Sequence, residues 1–217
     1  MADAAIGEAD MRISFTRTTI DAAGTPVAIA QAGSGFAVIH IAASVDRLAQ
    51  LLAGQFRMCC FEPGEDFAIL APAMKARRIA AIADALGLEQ YGISVEGADA
   101  LAALHLAADE PEKLQRAVLH APGVFDNAGV LNDPSLAARL EGITAHSLAL
   151  FGTDSGGNCD SPASIYREKI PNCQLMYLFD APGLARSRPE AAAEVIADFL
   201  QRGDGFLVSE QDGRLFP

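Results

Sequence analysis

The chain has 217 residues, enough for one domain with a substantial core, and 51% of them are hydrophobic. Its 28 Asp and Glu against 16 Lys and Arg give a formal net charge of −12, which argues against nucleic acid and anionic membrane surfaces as partners. No apolar run approaches the roughly 18 residues of a membrane span, and the opening MADAAIGEADMR carries acids where a secretory signal needs a basic start.

The four cysteines follow no disulfide-framework spacing, and Cys59 and Cys60 are adjacent, so reduced thiols of a cytoplasmic protein are expected. The Cys and His spacings hold no zinc signature, and no metal or cofactor is expected.

Residues 1 to about 10 read as an acidic tail, ahead of one α/β domain over 11–217. Ile13 to Thr19 and Val27 to Gln31, separated by a Gly- and Pro-bearing turn, predict an antiparallel hairpin. Phe36 to Ile41 is a buried strand ending in His40-Ile41, and Ser44 to Ala53 a helix. Phe56 to Glu62 is the next strand, on which Cys59 and Cys60 face opposite layers, followed by the turn Pro63-Gly64. Met74 to Leu86 is a helix closed by Gly87. Gln90 to Pro111, QYGISVEGADALAALHLAADEP, then reads as a short buried strand, a sharp turn and a long Ala/Leu helix. Leu114 to His120 is a strand, and Ala121 to Ala145 a Pro-, Gly- and Asn-bearing excursion with one short helix, Pro134 to Leu140. Ser147 to Phe151 and Gln174 to Phe179 are the last strands, with helices at Ser164 to Lys169 and from Pro189 to Leu200. A C-terminal extension from about residue 203 has a turn at Gln211-Asp212-Gly213 and could form a hairpin over a sheet edge or a partner subunit, so a homo-oligomer is one expectation.

The strand–turn–helix in mid-chain, flanked by strand/helix alternation, resembles the nucleophile elbow of the α/β-hydrolase superfamily, where the turn reads G-x-S-x-G with Ser at its apex. The resemblance covers about residues 12 to 200. It implies a mostly parallel sheet with an N-terminal antiparallel hairpin and helices on both faces. Two spacings of the family fix the register. A Leu-Gly pair commonly stands about ten residues before the nucleophile and a Pro-Glu pair about fourteen after it; counted from Leu86-Gly87 and from Pro111, both reach Gly97. A glycine at the apex takes positive φ without strain, so the turn can persist without a nucleophile. Ser94 in Gly92-Ile93-Ser94 is the competing choice, at the cost of a shortened strand and an extra helical turn before Pro111.

The resemblance also places an oxyanion-hole amide beyond His40, but Ile41 replaces the glycine usual after that histidine. The triad acid is expected near Asp154, with Asp160 and Asp126 as alternatives. The general base should follow the last strand, where the chain reads Asp180-Ala181-Pro182-Gly183-Leu184-Ala185-Arg186 without histidine. A serine hydrolase needs a nucleophile, a base and oxyanion donors acting together, so the implied protein lacks the nucleophile and base of its superfamily.

Three readings stay open: a non-catalytic module binding a small molecule or a protein; an enzyme of non-triad chemistry drawing on His40, Cys59 or Cys60, Glu96 and Asp154; and an esterase with Ser94 as nucleophile. A ligand would meet His40, Ile41, Glu96, Gly97, Ala98 and Gly183 at the carboxyl ends of the strands. The acids Glu96 and Asp99 at the helix start favour a neutral or cationic molecule over an anion.

Overall fold

The structure, a computed structural model, describes residues 13–126, 128–153, 160–179 and 187–206. Its strands are β1 (Thr16–Ala22), β2 (Thr25–Ala32), β3 (Ala37–Ile41), β4 (Arg57–Phe61), β5 (Tyr91–Glu96), β6 (Leu114–His120), β7 (His146–Gly152) and β8 (Cys173–Leu178). They form one sheet in the order β1-β2-β4-β3-β5-β6-β7-β8. β1, β2 and β4 pair antiparallel, and every pairing from β4 through β8 is parallel. The expected hairpin is present, its first strand shifted toward the C-terminus and its second longer at both ends than the pattern in the sequence. Its tight turn places both Ala23 and Gly24 at positive φ (52° and 80°), and Asp21 Oδ1 accepts the Gly24 amide at 2.6 Å.

The helices are α1 (Arg47–Leu52), α2 (Glu65–Ala68), α3 (Pro72–Ala85), α4 (Ala100–Asp109), α5 (Pro134–Ala137), α6 (Asp160–Lys169) and α7 (Pro189–Arg202). Central parallel strands are covered on both faces, which is why FAVIHI and its neighbours read as continuous apolar runs. Alternate residues feed two cores. Ile39, Cys59, Ile93, Ala117 and Ala149 enter one layer with α3, α4 and α6, whereas Val38, Met58, Cys60, Val118 and Leu148 enter the other with α1 and α7. Cys59 and Cys60 thus face opposite layers, as alternation along a strand requires.

α4 is buried almost all round, from Ala100 to Ala107, as its Ala/Leu composition dictates. α1 starts later than the sequence pattern implies because Asp46 caps it, Oδ1 accepting the Ala49 amide at 2.8 Å. Among its described residues the excursion between β6 and β7 contains α5 and a 3₁₀ turn at Leu140–Gly142 as regular helix. It is tied down at three points. The Tyr166 hydroxyl donates to Pro122 O and accepts the Val124 amide; His105 meets Asp133; and Arg139 pairs with Asp109. Among the described residues no helix is long and apolar enough to cross a membrane.

Candidate functional site

β5 ends at Glu96, and the chain turns at Gly97 with φ +61° before a 3₁₀ turn leads into α4. The bend therefore lies at the residue that both sequence spacings select. A Cβ built on Gly97 would meet nothing within 4 Å, so the apex faces open space. Glu96 and Ala98 are exposed on either side of it. Asp99 is not a free charge: Lys75 Nζ lies 2.6 Å from its carboxylate and also stands 5.2 Å over the Phe67 ring. The negative charge expected at this helix start is thus carried mainly by Glu96.

Ser94 sits three residues before the bend, inside β5, with no exposed surface. Its hydroxyl lies 3.0 Å from His40 Nδ1 and 2.8 Å from His120 Nε2. His40 belongs to β3, Ser94 to β5 and His120 to β6, three adjacent strands, and all three side chains point to the α1 and α7 side. On its other nitrogen, His40 Nε2 lies 3.2 Å from Asp46 Oδ2. Asp46 is thus both the α1 cap and the outer end of a row Asp46–His40–Ser94–His120. Burial opposes ionisation of Asp46, but the His40 hydrogen bond and charge, with the Ala49 amide, outweigh it and hold the carboxyl below its ordinary range. Burial dominates at His120 and, with the neighbouring His40, pushes its imidazole down to about 3, so it is neutral near pH 7. The Nδ1 of His120 has no hydrogen-bond partner among the described residues.

The remaining sequence candidates separate. Ile41 is buried in the α3/α4 layer and paired with Phe61. The Ala42 amide, first in the loop beyond β3, is directed at Phe61 O at 3.3 Å. An amide so engaged is a poor oxyanion donor. Asp126 is exposed and its Oδ1 accepts the amides of Ala128 and Val130, which makes it a turn residue. Burial raises the thiols of Cys59 and Cys60, the latter to about 12, which removes the thiolate a nucleophile needs. Glu62 pairs with Arg17 at 2.8 Å. Asp154 and the loop bearing Gly183 lie outside the described residues, as do the side chain of Asp160 and the turn at Gln211-Asp212-Gly213.

Sequence reasoning singled out His40 and Ser94 but missed Asp46 and His120. Strand parity held a signal for His120: it stands two residues past Val118, the register partner of Ser94, and so shares a face with Ser94 and His40. Nothing local marks Asp46, since Ser44-Val-Asp46 reads as an ordinary helix start. A separate open cleft of about 760 Å³ lies at the opposite, amino ends of the strands, where Arg57, Glu89, Glu112 and Lys113 line it with mixed charge. No group of three or more His, Cys, Asp or Glu suited to a metal ion occurs among the described residues.

A mostly parallel eight-stranded sheet with an N-terminal antiparallel hairpin, covered by helices and bent sharply after its central strand, is the α/β-hydrolase fold. Solved structures of that fold superpose on the chain at low sequence identity. They include a carboxylesterase from Bacillus subtilis (TM-score 0.72, 15% identity, 87% of this chain and 92% of that one). A CIB-like hydrolase from Thermoplasma acidophilum matches with TM-score 0.68 and 15% identity, over 87% of this chain and 99% of that one. A meta-cleavage product hydrolase from Pseudomonas fluorescens gives TM-score 0.69 and 14% identity, over 86% and 98%. No protein-family model and no curated protein sequence matches the chain.

Proposed function

We propose that this chain is an α/β-hydrolase-fold protein without serine-hydrolase chemistry, which binds a small neutral or apolar molecule at the carboxyl edge of its sheet. The observation that carries this reading is the bend at Gly97: the position from which a nucleophile would project holds no side chain and opens on space. Three further features support it. The Ser94 hydroxyl is enclosed within the sheet. The Ala42 amide is committed to Phe61. The segment 180–186 contains no histidine to serve as a base. Losing any one member of such a unit removes most of the rate, because the members act together.

A second reading has one specific observation in its favour. Asp46, His40 and Ser94 form an acid–imidazole–hydroxyl chain, at 3.2 and 3.0 Å, of the kind that activates a serine. Burial of Ser94 weighs against it, since a carbonyl carbon must reach the oxygen. The two readings part on one experiment, incubation with a fluorophosphonate probe and a panel of activated esters. The binding reading expects neither labelling nor turnover. Stoichiometric labelling at Ser94 would replace it with the esterase reading, and turnover lost in His40→Ala without labelling would point to non-triad chemistry.

A further inference from the structure

The row of four side chains has a direction, and its direction determines what the inner end can bind. The Asp46 carboxylate, ionised, only accepts, so His40 Nε2 carries a proton and donates to it. A neutral His40 then has a bare Nδ1, which accepts the Ser94 O–H. That hydroxyl has one proton, now used, so its contact with His120 is made by a proton on His120 Nε2. A neutral imidazole protonated at Nε2 leaves Nδ1 as a lone pair. This is the buried nitrogen that has no partner among the described residues. His120 is 3% exposed, and a bare acceptor there is costly unless something donates to it.

His120 is the register partner of Glu96, the residue just before the bend, and the chain beyond it returns to the bend, where the Gly123 amide faces Gly97 O at 3.4 Å. Gly97 itself fills none of the space beside it. We infer that His120 Nδ1 is the polar contact of the binding site at the bend, and that the ligand is a small neutral molecule presenting an O–H or N–H to it. This rests on the binding reading and narrows it: an apolar body against the sheet edge, with one donor aimed at His120.

Phenol and toluene, matched in shape and differing in the donor, test it on the full chain labelled with ¹⁵N-histidine at pH 8. The His120 resonances are assigned by their loss in His120→Phe. The expected result is an Nε2–H tautomer for His120, an Nδ1 resonance that phenol moves and toluene does not, and phenol binding about tenfold tighter than toluene. In Ser94→Ala the tautomer preference of His120 should weaken; if that variant does not fold, the wild-type titration decides alone. A proton on His120 Nδ1 at pH 8 overturns the inference, and so does an Nδ1 resonance indifferent to phenol, which would leave a buried water as its donor. Ester turnover would defeat the binding reading while leaving the tautomer result as it stands, so the two failures are distinguishable.

Discussion

Gly97 shows most directly how a single residue records what the fold does. Its φ of +61° lies where an L side chain costs roughly 1–2 kcal/mol, yet a Cβ there would touch nothing within 4 Å. The penalty for Gly97→Ser is therefore conformational and not steric. The variant should fold, with a Tm lowered by about 2–4 °C for each kcal/mol lost, and should hydrolyse no activated ester, since both nearby imidazoles are engaged with Ser94. Calorimetry and an ester panel check the two halves; turnover in the variant would mean that a base is at hand after all. Gly33 is the opposite case: its Cβ would come within 2.0 Å of Phe56 O and 2.4 Å of Ala53 O, a backbone clash with no easy relief. The apex glycine was legible from sequence because two spacings converge on it. The partners of Ser94 were not, because they come from other strands and meet it only through the register of the sheet.

Between elements, the buried tie from α4 to the excursion after β6 is a histidine on a carboxylate, His105 Nε2 to Asp133 Oδ2 at 2.8 Å, beside the exposed pair Arg139–Asp109. Asp133 also caps α5, its Oδ1 accepting the Ser135 amide and hydroxyl at 2.9 and 2.6 Å. The hydrogen bond from His105, then that from the Ser135 hydroxyl, hold the Asp133 carboxyl below its ordinary 3.8. A carboxylate whose pKa is lower folded than unfolded contributes stability that is present above the unfolded value and lost as pH falls through the folded one. Asp133→Asn keeps the cap geometry and cannot titrate. The wild type should accordingly be the more stable at pH 6, and its advantage should shrink as pH falls below 3.8, read from urea midpoints at a series of pH values. A difference constant across that range would show that the ionised form of Asp133 contributes nothing. Sequence indicated an excursion with one short helix, but not that a mid-helix histidine anchors it, since the partner is 28 residues away.

For the molecule as a whole, 28 acidic against 16 basic residues set a field that opposes compaction. Ion pairs such as Lys75–Asp99 and Arg17–Glu62 offset part of it, but the net charge of −12 remains. Raising salt from a few millimolar to about 0.15 M, where the screening length is roughly 8 Å, should raise Tm at pH 8; a fall would mean that pairwise attraction outweighs the net repulsion. The architecture was readable at this scale because buried parallel strands leave long apolar runs punctuated by Gly and Pro. Strand and helix limits moved by a few residues, as at α1, where the cap decides the start and no periodicity marks it.

The ordering of protons along Asp46, His40, Ser94 and His120 has a last consequence. Each member can donate only if its neighbour receives, so the four cannot be altered singly. Add one proton to His40 and its Nδ1 becomes the donor to Ser94, the hydroxyl turns to His120 Nε2, and the proton of His120 is left on Nδ1. The same pocket would then offer a hydrogen where it otherwise offers a lone pair, and a carbonyl compound would take the place of an alcohol.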